Sequence, residues 1–84
     1  MSKLEKAKQR LKSIPKDYTY TEAKSLLARL GFVELNKGKT SGSRVKFYRV
    51  IDGKAIFLHK PHPSDIMDIN SVLDIIEILG SELS

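Results

Sequence analysis

Both histidines of the chain fall in one short run, His59-Lys60-Pro61-His62-Pro63. The prolines stiffen the backbone on either side, which would hold the imidazoles in place. An imidazole near its reference pKa of about 6.5 can take the proton from a ribose 2′-hydroxyl and return one to a leaving oxygen. Such chemistry needs no metal. His62 is the first candidate for it and His59 the second, and a core histidine bonded to a backbone carbonyl is the plainer role open to His59. A zinc centre needs at least three protein ligands, and two histidines with no cysteine cannot supply the usual set. With no cysteine there is also no disulfide framework.

A second group of residues suits phosphate. Alternation along a strand over 43–51 puts Val45 and Phe47 on one face and Arg44, Lys46 and Tyr48 on the other. Two cations and a ring would then share a face, with Lys37 and Lys39 in the preceding turn, Arg49 near the strand end and Lys60 extending the basic region. Cations neutralise phosphates, and an exposed ring stacks on a splayed-out base. The plain alternative is a solvated face of an antiparallel sheet. The turn over 37–42 brings Gly38, Thr40, Ser41 and Gly42 together, a cradle for an anion at best. It is not a P-loop, because no Gly-Lys-Ser/Thr opens a helix. Ser41 and Ser43 are close to the histidines in sequence, yet no nucleophile elbow or oxyanion-hole helix surrounds them, so acyl-transfer chemistry fares worse.

The elements that must position these groups follow from periodicity. Leu4, Ala7, Leu11 and Ile14 predict an accessory N-terminal helix over 3–14, stopped by Pro15. Thr19-Tyr20-Thr21-Glu22 reads as a capping box, followed by an apolar face of Ala23, Leu26, Leu27 and Leu30 and a stop at Gly31. Strands are expected over 32–36, 43–51 and 54–59, the last two joined by a tight primed turn at Asp52-Gly53. A final helix over 70–79 would turn Val72, Leu73, Ile76 and Leu79 inward and end at Gly80. The order, after the accessory helix, is α-β-β-β-α: an α+β domain with a three-stranded antiparallel meander and helices on one face.

The chain has 84 residues and a net charge of +5, so residues 1–84 are read as a single domain. All 15 Lys and Arg lie in residues 1–60, whereas the last 24 residues hold five acids and no Lys or Arg. Charge segregated in this way points to a polyanion on one side of the molecule. No run approaches the length of a membrane span, and the opening MSKLEKAKQRLK carries charges where a signal peptide would be apolar. A cytoplasmic protein with no membrane partner and no cofactor is the expectation.

At these motifs the chain resembles the HicA family of bacterial toxins, the YcfA-like group. The resemblance rests on Thr-x-Thr-Glu-x-x-x-Leu-Leu from Thr19, Leu-Gly-Phe at 30–32, Thr-Ser-Gly-Ser-Arg at 40–44, Phe47, and Leu-His-Lys-Pro-His-Pro at 58–63. It covers residues 17–79. It implies a double-stranded-RNA-binding-domain-like fold, mRNA as ligand, and mRNA cleavage by a type II toxin-antitoxin endoribonuclease. It also implies a HicB-like antitoxin that covers the active face. HicA proteins carry a histidine after Gly-Ser, and Arg44 stands there in this chain. Arginine stays protonated and can stabilise a phosphorane but is no base. Proton transfer then falls to His62 or His59, or the protein is a non-catalytic RNA-binding module. A third reading is a protein-interaction domain whose basic face docks an acidic partner.

Overall fold

The computed structural model describes residues 2–35, 44–61 and 64–83. Helix α1 (Lys3–Lys12) begins where the Ser2 hydroxyl accepts from the Glu5 N–H at 3.1 Å, satisfying one of the orphan donors of the first turn. It ends two residues short of the expected stop. The Ser13 hydroxyl donates to the Arg10 carbonyl at 2.6 Å, and Ile14 leaves the helix with φ +53. Pro15 excludes Ile14 from the right-handed region, and a β-branched residue at positive φ is strained. Ile14 therefore points away from the core, a correction to the predicted apolar face. The rest of that face docks. Leu11 is fully buried, with Leu4 and Ala7 packed beside it, so α1 is part of the single core rather than an accessory to it.

Helix α2 (Tyr20–Arg29) carries the expected capping box: the Thr19 hydroxyl accepts from the Glu22 N–H at 3.0 Å and the Glu22 carboxylate from the Thr19 N–H at 3.1 Å. The same carboxylate takes the guanidinium of Arg10, which also reaches Asp17 at 3.2 Å and lies over the Tyr18 ring. Glu22 thus caps one helix and ties the other to it, and the Arg10 contact holds its carboxyl below the usual range. At the far end Phe32 N–H bonds the Leu27 carbonyl at 2.9 Å and Gly31 N–H the Ala28 carbonyl at 3.1 Å, a Schellman cap. Gly31 supplies the positive φ of +96 that this cap requires.

Strands β1 (Val33–Leu35), β2 (Arg44–Arg49) and β3 (Lys54–His59) form one antiparallel sheet in the order β1-β2-β3. The β2–β3 loop differs from the expected two-residue turn. Arg49 pairs with Lys54, leaving the four residues 50–53 in the loop. Gly53 N–H closes it on the Arg49 carbonyl at 2.9 Å, and Lys54 N–H bonds an Asp52 oxygen at 3.2 Å. Compared with a turn at 52–53, pairing slides by two residues. Since side chains alternate with period two, the faces are preserved while cross-strand partners change.

Helix α3 (Ile69–Leu79) buries Val72, Ile75 and Leu79; Leu73, expected inward, is 42% exposed. The helix is apolar at most positions of two overlapping stripes, and packing selects the one that includes Ile75. Gly80, at φ +49, ends it, and a 3-10 turn (Gly80–Leu83) returns Leu83 to the core. Between β3 and α3 the chain is pinned to the start of α2. Tyr20 N–H bonds Asp65 O at 2.7 Å, and Met67 N–H bonds Tyr18 O at 2.8 Å. The result is an α+β fold with the helices on one side of the sheet, α3 packed on β3 and α1 packed against α2, α3 and the C-terminal turn. Val45, Phe47, Ile56 and Leu58 share a core with Leu11, Leu26, Leu27, Val72, Ile75 and Leu79. No helix among the described residues is long and apolar enough to cross a membrane.

Candidate nucleic-acid interface

Because Val45, Phe47, Ile56 and Leu58 face the helices, period-two alternation turns their neighbours the other way. The register then lays out three cross-strand rows on the face that no described helix covers: Val33, Tyr48 and Ala55; Leu35, Lys46 and Phe57; and Arg44 with His59. Arg44 and His59 are directly paired residues, so cation and imidazole are side by side. Lys46 lies between two rings, its Nζ 5.6 Å from the centroid of Tyr48 and 5.6 Å from that of Phe57. Phe57 is 60% exposed and Val33 52%. No acid belongs to these rows, and no carboxylate among the described residues pairs with Arg44 or Lys46.

Of the residues that the sequence singled out, Arg44, Lys46, Tyr48 and His59 share this face. Lys60 is exposed immediately beyond the end of β3. Lys37, Lys39 and His62 lie outside the described residues.

Arg49 leaves the set. An odd step from Arg44 puts it on the helix side of β2, where its side chain is only 12% exposed. There its guanidinium donates to Glu82 at 2.6 and 2.8 Å, to Asp52 at 3.1 and 2.7 Å and to the Leu30 carbonyl at 3.0 Å, and it covers the Phe32 ring. Lys54 joins the same cluster, reaching Glu82 at 3.0 Å and the Ile78 carbonyl at 3.2 Å. The hydrogen bonds from Arg49 are the main reason that the Glu82 carboxyl is held down at about 2, and they hold Asp52 at about 2 as well. This end of the sheet is therefore neutralised from within.

Phe57, Val33 and Leu35 were not among the residues singled out from sequence. The signal for Phe57 lay in the alternation of β3, where Ile56 and Leu58 bracket it. Placing it beside Lys46 required the register.

A cavity of about 130 Å³ between α1 and α2 is lined by Ala7, Arg10, Tyr18, Glu22 and Ser25. Two of its polar groups, the Arg10 guanidinium and the Glu22 carboxylate, are joined to each other. Burial, with the Glu22 charge nearby, pushes the Tyr18 hydroxyl up to about 12. Among the described residues no three His, Asp or Glu side chains converge as metal ligands. Comparison with family models, curated proteins and solved structures returns no match.

Proposed function

We propose that the protein binds RNA across the open face of its sheet and cleaves it there, as a HicA-like toxin of the double-stranded-RNA-binding-domain-like fold, acting in the cytoplasm and held in check by a HicB-like antitoxin. The observation that carries the reading is the cross-strand pair of Arg44 and His59, on the same face as Lys46 and its two flanking rings. Arg44 and Lys46 attract the phosphodiester backbone, with Lys60 beside them, and the sequence motifs from Thr19 to Pro63 supply the family likeness.

In the cleavage step the His59 imidazole accepts the proton of a 2′-hydroxyl. The freed oxygen bonds to the adjacent phosphorus, and the bond from phosphorus to the 5′-oxygen breaks. Products are a 2′,3′-cyclic phosphate and a 5′-hydroxyl, the latter protonated by His62 or by water. Arg44 stabilises the negative charge that builds on the phosphoryl oxygens. No step requires a metal ion.

The test is digestion of a defined mRNA with EDTA present, comparing the wild type with His59→Ala and His62→Ala. Loss of product in one or both variants, with folding intact by circular dichroism, supports the reading. Equal cutting by all three proteins rules out the histidine assignment. A second reading, RNA binding without cleavage, is favoured by Arg44 standing where the family carries histidine. It predicts salt-sensitive binding and no product under any condition. Docking of an acidic protein on the same cations is separated from both by measuring RNA affinity after the partner is removed.

A further inference from the structure

The open face carries two rings whose spacing bears on the form of RNA it can take. Tyr48 and Phe57 are diagonal neighbours across β2 and β3: Phe57 is directly opposite Lys46, and Tyr48 is two residues along β2. Residues in that relation are about 7–8 Å apart. Successive nucleotides of one strand advance only about 3.4 Å along a B-form duplex and less along the A-form duplex of RNA, and their base faces are covered by stacking. Two rings at the diagonal spacing cannot each receive the face of a consecutive paired base. They can do so once the strand is extended and its bases are splayed apart.

The cation between them matches that arrangement. The Lys46 ammonium, 5.6 Å from both ring centroids, is placed where the phosphate joining two splayed nucleotides would pass. One row further, Arg44 and His59 face each other, and no acid interrupts the path. Val33 and Leu35 on β1 continue the apolar surface on the outer side of the rings.

Building on the RNA-binding reading, we propose that this face selects single-stranded RNA, stacking consecutive unpaired bases on Tyr48 and Phe57 and holding their shared phosphate on Lys46. The next phosphate, beside the nucleotide on Phe57, reaches Arg44 and His59 and is the bond presented for cleavage. Phe57 is then the residue that discriminates unpaired from paired RNA. Its exposure means that replacing it removes a binding surface without opening a cavity.

Fluorescence anisotropy with 2′-O-methyl oligonucleotides, which have no free 2′-hydroxyl and survive the enzyme, reads binding apart from cutting. The full chain is titrated into a labelled single strand and into the same strand annealed to its complement, at matched salt. Single-strand binding at least tenfold tighter than duplex binding is the expected result. Phe57→Ala weakens the single strand about tenfold or more, as for the loss of one base–ring stack, leaving the salt dependence unchanged. Phe57→Trp retains the preference. Lys46→Ala instead flattens the dependence of log K on log salt by about 0.7.

Equal or tighter duplex binding, or a Phe57→Ala variant that binds the single strand as the wild type does, overturns the strand preference while leaving RNA binding intact. Absence of binding to both forms overturns RNA binding itself. A variant that keeps its RNA affinity and loses a co-purifying acidic protein shows the face to be a protein interface, which also overturns the inference.

Discussion

Arg44 and Arg49 bound the same strand and have opposite surroundings. Arg49 is enclosed by Glu82, Asp52, the Leu30 carbonyl and the Phe32 ring, and its charge is cancelled within the molecule. Arg44 has no carboxylate partner among the described residues and faces solvent beside His59. The odd separation accounts for the difference, since it sends the two side chains to opposite faces of the sheet. Of the acidic C-terminal residues, Glu82 meets Arg49 and Lys54 on the helix side. Net charge alone does not locate a binding surface; what matters is which cations the fold leaves uncompensated.

That contrast is open to direct attack. Arg49→Ala should have the largest effect, costing about 3 kcal/mol, because it leaves Glu82 partly buried without its main partner. Urea unfolding would measure it. A loss below about 1 kcal/mol would mean that the enclosed arginine is as dispensable as an exposed one.

Next comes Glu82→Gln, at about 2 kcal/mol near neutral pH, with a signature in acid. The folded carboxyl is held at about 2 against an ordinary 4.5, mainly by hydrogen bonds from Arg49. As pH falls through that window the unfolded chain takes up a proton that the folded chain refuses. The stability from Glu82 is thus complete above about 4.5 and fades toward 2. Unfolding curves between these limits should be flatter for the variant than for the wild type. An unchanged slope would place the acid sensitivity elsewhere.

A smaller effect of opposite sign is expected on the helix side of the sheet. The Tyr20 hydroxyl is buried with no well-formed hydrogen bond among the described residues, and burial, with the Glu34 carboxylate close by, pushes its pKa up to about 12. Tyr20→Phe should leave stability unchanged or raise it by up to about 1 kcal/mol, read from the thermal midpoint. A clear loss would reveal a partner for that oxygen.

The smallest stability change belongs to Arg44→Ala, within about 0.5 kcal/mol, as for an exposed side chain. Its effect should be on RNA instead, lowering the slope of log K against log salt by about 0.7 for a single strand. If Arg44→Ala destabilises the fold as much as Arg49→Ala, the distinction between the two ends of the strand collapses.

Local signals in the chain were legible wherever one residue type has one good solution. Thr19 and Glu22 announced a helix start that is present, Gly31 its stop, and β3 has the expected bounds of 54–59. The open-face assignment of Arg44, Lys46 and Tyr48 followed from alternation alone. Legibility failed where several solutions were locally equal. Apolar residues on two overlapping stripes of α3 could not show that Ile75 rather than Leu73 turns inward. Asp52-Gly53 fits a two-residue turn as well as the end of a four-residue one.

Composition and period, then, determined the elements, their order and the two faces of the sheet, since these depend on neighbours within a few residues. Register, and with it the partner of each side chain, was decided only by the packed molecule. A turn at 52–53 would have set His59 against Lys46; with Arg49 closing on Lys54, His59 stands against Arg44 and Phe57 against Lys46. The capture of Arg49 by Glu82, 33 residues away along the chain, accompanies that register. Contacts of such range have no signature in local periodicity, because they form only when distant segments share a core.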